Sequence, residues 1–173
     1  FHLARREWKL AEAHARFAQK GDAKLALAHD VLGEALIGQE RDAEAIDSFQ
    51  TALKYDERLG SAHFHLGRAL LNQKKVDEAI QSLKLAIRYQ PPLYEAYLQL
   101  ASAWRQKGRL DQAITTLRNA AITYPRLYEF QRQLVLAWKE NDELDQAKAH
   151  LKKYVIVPQI RARLLKEFPE LNR

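Results

Sequence analysis

Six histidines, 22 carboxylate side chains and no cysteine make up the groups with which this sequence could do chemistry. His63 and His65 lie closest together, but residues two apart point to different sides of a helix and make a poor metal pair. A metal site needs several convergent ligands, so the spacing favours packing or capping roles for the histidines. The absence of cysteine removes disulfides and thiolate metal sites.

The motifs of common catalytic sites are also missing from the sequence. There is no H-E-x-x-H, no G-x-x-x-x-G-K-[ST] and no G-x-S-x-G. The six glycines are scattered and cannot form a phosphate cradle. The carboxylates cluster at turns and helix starts, where solvation and the helix dipole account for them. We therefore expect no catalytic residue, no bound metal and no cofactor.

The net charge of +6 raises the question of a nucleic-acid partner. Residues 1–25 carry six basic and three acidic side chains, and residues 148–173 carry seven and two. The segment 26–147 carries 15 and 17. Because a phosphate-binding surface needs a continuous basic stripe, this layout speaks against nucleic-acid binding. No run of 18 apolar residues occurs, so we expect no membrane insertion, and nothing indicates a cellular compartment.

The elements that would position a site form an internal repeat of 34 residues. Each copy has apolar residues at helical spacing, a polar turn and a second helical stretch that opens with acidic residues. Small residues recur where the two helices would cross: Gly33, Gly67, Ala101, Ala45, Ala79, Ala113 and Ala147. Pro91 and Pro125 then stop the second helix. One such pair buries its apolar face only by stacking on its neighbours, which predicts an all-α repeat protein.

This order of Leu-Gly, Ala, a large apolar residue, Ala and Pro resembles the tetratricopeptide repeat (TPR). The resemblance implies a right-handed solenoid of antiparallel helix pairs. The expected repeats are 26–59, 60–93, 94–127 and a degenerate fourth at 128–161. Residues 1–25 are similar to half of a truncated repeat, and residues 158–173 are expected to form a C-terminal capping helix.

The resemblance also implies a binding surface, because TPR arrays commonly hold a peptide along the first helices of their repeats. The inward positions are the second, fifth, ninth, twelfth and thirteenth of each frame. The residues expected to line this groove are Asp30, Glu34, Phe64, Arg68, Asn72, Leu98, Ser102, Arg105, Arg132 and Lys139. They pass from an acidic end to a basic end. The Lys and Asn with which chaperone-binding members clamp a terminal carboxylate are absent from the corresponding positions.

The sequence thus predicts a non-catalytic scaffold that binds a protein or peptide in its concave groove and assembles a complex. Two alternatives stay open. The chain could be a regulatory or positioning module of a larger, possibly enzymatic, protein. It could also form a homo-oligomer through an exposed N-terminal half-repeat.

Overall fold

A computed structural model describes residues 2–90 and 93–172, with side chains from residue 7 onward. These ranges contain ten α-helices, one short 3-10 helix and no strand, so the predicted all-α class is confirmed. Pro91 lies outside the described residues. The helices α1 to α10 are His2–Gly21, Ala26–Ile37, Asp42–Tyr55, Gly60–Asn72, Val76–Tyr89, Tyr94–Gln106, Leu110–Thr123, Tyr128–Glu140, Leu144–Lys153 and Pro158–Glu167, followed by the 3-10 helix Pro169–Asn172. None of the described helices has the length and hydropathy to cross a membrane.

The chain divides into two compact units, Phe1–Ala96 and Tyr97–Arg173. In the first unit, each of the helices α1 to α4 packs against the next one, and α2 also contacts α4. Its core includes a cluster of buried side chains with Leu32, Phe49 and Leu66. The helices α2 and α4, which are the first helices of their repeats, lie side by side. The first candidate site lies where these two helices meet.

Close helix crossings explain the small residues of the repeat. A Cβ atom added at Gly33 would lie 2.3 Å from the ring of Phe49, and one at Gly67 would lie 2.7 Å from Leu83. Ala45, Ala79 and the two later alanines of the same series are fully buried. Because a larger side chain would clash at these crossings, the predicted packing role of the small residues is confirmed.

The turns between the paired helices have one backbone geometry, repeated every 34 residues. Glu40, Lys74, Gly108 and Asp142 all have positive φ, between 56° and 71°. The residue after each of them donates its backbone N–H to a carbonyl five positions earlier, at 2.8–3.0 Å. This arrangement satisfies carbonyls that the preceding helix would leave unpaired at its end. Three of the four left-handed residues are not glycine, so the hydrogen bonds hold the conformation.

In the second unit, α8 packs against α7, α9 and α10. The core includes Phe130, Leu134 and Leu151. The apolar side chains of the terminal segment are largely buried: Ile160, Leu164 and Phe168 are each less than 10% exposed, and Leu165 is half-buried. α10 and the 3-10 helix therefore belong to the core of this unit.

Candidate functional site

The predicted groove residues lie on α2, α4, α6 and α8, the inner helices of the repeat pattern. Their surroundings differ between the two units. In the first unit a histidine bridges two of them, and in the second unit three of them line an open cleft.

In the first unit, His65 of α4 joins the two acidic groove residues of α2. Its Nδ1 lies 2.9 Å from Asp30 Oδ1, and its Nε2 lies 3.1 Å from Glu34 Oε1. Ser61 donates a further hydrogen bond to Asp30 Oδ2 at 2.7 Å. The Asp30 side chain is only 3% exposed, so its charge depends on these partners rather than on water.

The environment of His65 fixes its charge. Although burial lowers the pKa of its imidazole, the hydrogen bonds to Asp30 and Glu34 raise that pKa to about 9. Conversely, the hydrogen bond from His65 lowers the pKa of the Glu34 carboxyl, against the opposing effect of burial. At neutral pH the ring is an imidazolium, and both of its N–H groups donate to carboxylates. The cluster therefore ties α2 to α4 with a positive charge between two negative ones.

Phe64 does not present the apolar surface that the groove hypothesis gave it. Its side chain is 4% exposed and its ring packs 5.4 Å from the ring of His65. The guanidinium of Arg68 lies 5.4 Å from the Phe64 ring centroid, and Asn72 is exposed one turn further on. Asp30 and Phe64 are therefore interior residues in this structure. Glu34, Arg68 and Asn72 retain accessible surface.

In the second unit, an open cleft of about 250 Å³ lies among side chains of α6, α7 and α8. Leu98, Ser102 and Arg105, three of the predicted groove residues, line it together with Ala101, Leu117 and Gln133. Ala101 and Leu117 are buried. The cleft therefore combines an apolar floor with a polar rim.

The polar rim is held by contacts within the unit. Arg105 Nε lies 3.2 Å from Glu140 Oε2, but the N–H is not directed at that oxygen and makes no hydrogen bond. The amide of Gln133 donates to Glu129 on its own helix, at 2.7 Å. Because Gln133 turns toward its own helix, it forms no bridge to α6 comparable with the bridge that His65 makes to α2.

The basic groove residues of α8 are paired with the C-terminal segment. Arg132 Nε lies 2.6 Å from Glu167 Oε1, and Lys139 forms an ion pair with Glu170. Glu167 also accepts a hydrogen bond from the hydroxyl of Tyr128. The hydrogen bonds from Tyr128 and Arg132 lower the pKa of the Glu167 carboxyl. The positive end expected for the groove is thus neutralised by carboxylates of the same unit.

Apart from the ion cluster of His65, three histidines of the repeat, His29, His63 and His150, have the capping and packing roles that the sequence favoured. His29 and His63 each donate Nε2–H to a backbone carbonyl six residues earlier, at 2.9 Å. His150 is buried and donates to Gln131 at 2.7 Å. Burial and the nearby charge of Arg118 lower its pKa to about 4, so its ring is neutral at neutral pH. Among the described side chains, no group of three His, Cys, Asp or Glu residues could hold a metal ion.

The family follows from comparison with known repeats. Models of the tetratricopeptide repeat match residues 31–93 and 95–126, which together make up more than half of the chain. The chain is a tetratricopeptide repeat protein. Repeats of this family are generally non-catalytic modules for protein interaction. No curated protein sequence matches this TPR chain.

Solved structures share the fold of this TPR protein. MamA from Desulfovibrio magneticus RS-1 is 19% identical, with a TM-score of 0.73 over 96% of this chain and 90% of that one. YrrB, described as a TPR protein with an unusual peptide-binding site, is 21% identical, with a TM-score of 0.66 over 93% and 84%. The first TPR of Spaghetti (RPAP3), bound to the HSP90 peptide SRMEEVD, is 20% identical, with a TM-score of 0.62 over 70% and 98%. At these identities the likeness establishes the fold alone.

Two residues that matter in the TPR inner face were not among the predicted groove residues. His65 and Gln133 lie 68 positions apart, at the sixth position of their frames, next to the fifth position that was chosen. A signal for His65 was present in the sequence, since it follows Asp30 and Glu34 by about one repeat and could meet them on the next inner helix. Gln133 carries no such signal, because its partner Glu129 lies on its own helix.

Proposed function

We propose that this TPR chain is a non-catalytic scaffold that binds a protein or peptide through the inner helices of its second unit. The observation that supports it is the open cleft at Leu98, Ser102 and Arg105, three positions that the resemblance to TPR proteins implies to face inward. Cleft formation at these positions is more informative than exposure alone, because isolated exposed side chains are common on any protein surface. Peptide-binding structures among the similar folds, YrrB and the RPAP3 repeat, are consistent with this use of the fold.

The groove residues outside the cleft, apart from the interior Asp30 and Phe64, have two roles. Glu34, Arg68 and Asn72 retain accessible surface on the first unit and form a secondary contact area there. Arg132 and Lys139 act through the C-terminal segment, whose carboxylates they bind. Such paired charges contribute more to orientation than to affinity.

A matched pair of tryptophan variants tests the proposal. Ser102→Trp would fill the cleft, whereas Thr115→Trp adds the same ring at an exposed position of α7. Protein captured from a lysate by the parent chain should also be captured by Thr115→Trp and lost with Ser102→Trp. Both variants should keep the helical circular dichroism of the parent. Equal capture by the two tryptophan variants would place the binding surface elsewhere.

Self-association is a second candidate function, supported by an exposed apolar surface on α1 and α2. Leu10 is 58% exposed, Phe17 76% and Leu27 56%. Leu10 and Phe17 are seven residues apart and share one side of α1. Exposed apolar side chains of this size are a feature of surfaces that contact another protein. Sedimentation equilibrium of the parent and of Phe17→Glu with Leu27→Glu distinguishes the cases: a concentration-dependent dimer that the variant abolishes supports self-association, and a monomeric parent excludes it.

A further inference from the structure

The repeat places two equivalent sites in the chain, one between α2 and α4 and one between α6 and α8. Residues 68 apart correspond: Asp30 with Leu98, Glu34 with Ser102, Phe49 with Leu117, and His65 with Gln133. In the first site the His65 ring lies between the two carboxylates and 5.6 Å from the Phe49 ring. In the second site the equivalent positions border the open cleft.

The difference arises from which side chain lies in the space between the inner helices. His65 reaches across to α2 because two carboxylates bind its two N–H groups. Gln133 faces a leucine and a serine on α6, neither of which offers a charge, and it bonds Glu129 instead. The space that an imidazolium fills in the first site is therefore open in the second.

The charges around the cleft decide which chemistry that side chain has. Arg105 lies beside Glu140, and Arg132 next to Gln133 is bound to Glu167. Each cation thus has a carboxylate of its own unit nearby, and that negative charge opposes the approach of a ligand carboxylate. Leu98 offers half-buried apolar surface above the buried Ala101 and Leu117. Burying a charge against such surface is unfavourable, whereas burying an aliphatic group is favourable.

We propose that the cleft between α6 and α8 receives one neutral aliphatic side chain of a partner polypeptide, of the size of leucine or methionine. This inference rests on the proposed function and names the anchor residue of the partner. The volume suits that occupant: an apolar cavity of about 150 Å³ can hold benzene, and this cleft measures about 250 Å³. Ser102 and Gln133 at the rim bind the backbone amide groups that flank the anchor.

Short blocked peptides test the anchor chemistry on the full chain. The probes are acetylated, amidated pentapeptides Ala-Ala-X-Ala-Ala in which X is leucine, alanine or aspartate. Titrations followed by amide NMR shifts should show that the leucine peptide perturbs Ser102 and Gln133 and binds at least about tenfold more tightly than the alanine peptide. The aspartate peptide should bind no better than alanine. Equal binding of leucine and alanine, or tighter binding of aspartate, overturns the inference.

A variant that copies the site between α2 and α4 into the cleft provides the control. Leu98→Asp with Ser102→Glu and Gln133→His copies the three residues of the first site, and the leucine peptide should then lose at least about tenfold in affinity. Where this variant does not fold, judged by its circular dichroism, Ser102→Trp replaces it with the same expected loss. Undiminished binding of the leucine peptide contradicts the proposal.

The experiments distinguish an error in the binding face from an error in the aliphatic anchor. If blocked peptides do not discriminate leucine from alanine but protein capture is still lost in Ser102→Trp, the binding face is correct and the aliphatic anchor is wrong. If the capture of proteins is the same with Ser102→Trp and Thr115→Trp, the binding face itself is wrong.

Discussion

The site between α2 and α4 and the site between α6 and α8 occupy corresponding positions in one repeat and have opposite properties. The first contains a buried ion cluster, with His65 bound to Asp30 and Glu34. The second contains an open cleft bordered by Leu98, Ser102 and Gln133. Three substitutions on two helices therefore separate a structural contact from a candidate binding pocket, while the helices keep their place in the repeat.

This contrast also shows what charged positions on the inner helices do. Asp30, Glu34, Arg132 and Lys139 were expected to contact a ligand because of their inward positions. In the structure each pairs with a later helix of its own unit, on α4 or in the C-terminal segment. A charge at an inward position is therefore as well suited to joining two inner helices as to binding a partner.

The largest expected effect is on the stability that the site between α2 and α4 contributes. His65→Gln removes the cation and leaves the Asp30 carboxylate buried without its charged partner, which should lower the free energy of unfolding by about 3 kcal/mol or more. Urea denaturation at pH 7 measures this. The variant Asp30→Leu with Glu34→Ser and His65→Gln removes both carboxylates as well and should recover most of the loss. If His65→Gln alone unfolds at the urea concentration of the parent, the cluster contributes nothing to stability.

The stability contributed by the site between α2 and α4 should depend on pH, which sharpens the comparison. Since the pKa of His65 is raised from 6.5 to about 9 on folding, its contribution is fully present below about pH 6.5 and is lost as the pH rises through about 9. The melting temperature of the parent should therefore fall between these pH values by more than that of His65→Gln. Gln133 does not titrate, so Gln133→Ala should follow the parent. Parallel curves for the parent and His65→Gln would contradict the assigned charge state.

Opposite substitutions at two corresponding helix crossings should both lower stability, for different reasons. Gly33→Ala places a Cβ 2.3 Å from the rigid ring of Phe49, which should cost about 1–3 kcal/mol by overpacking. Ala101→Gly removes a buried methyl next to Leu117 and should cost about 0.5–1 kcal/mol through the greater flexibility of glycine. Thermal unfolding of both variants tests this. A stabilised Gly33→Ala would show that Phe49 can move aside without loss.

The smallest expected effect concerns the charges of the C-terminal segment. Glu167→Gln with Glu170→Gln breaks ion pairs that are partly exposed, with Arg132 and Lys139, and should cost no more than about 1 kcal/mol. The loss should shrink in 0.5 M salt, because salt screens exposed charges. Glu143→Gln, on the exposed turn before α9, is the control and should be neutral. A loss of stability that does not depend on salt would show that packing rather than charge holds the C-terminal segment in place.

Much of the fold follows from the sequence because the repeat fixes it locally. Glycine and alanine at 34-residue spacing predicted where helices cross, and Gly33 against Phe49 confirms the reason. The burial of Phe64 could not be obtained in the same way. It depends on how one inner helix is rotated against the next, and the spacing of residues within a repeat does not specify that rotation.

The candidate site was predictable in part for the same reason. Leu98, Ser102 and Arg105 lie together because they share one side of α6, and helical periodicity alone places them there. The pairing of Arg132 with Glu167 joins residues 35 apart on two helices whose repeat pattern differs. Nothing in the spacing of the terminal helix specified which of its carboxylates would reach α8.

The left-handed turns at Glu40, Lys74, Gly108 and Asp142 bear on how such a protein can diversify. Four different residue types occupy one conformation, because backbone hydrogen bonds rather than a particular side chain maintain it. Duplicated copies can therefore drift in sequence without losing the connection between their helices. The inner helices are then free to acquire an ion cluster in one copy and a pocket in another, so that new recognition arises without a new architecture.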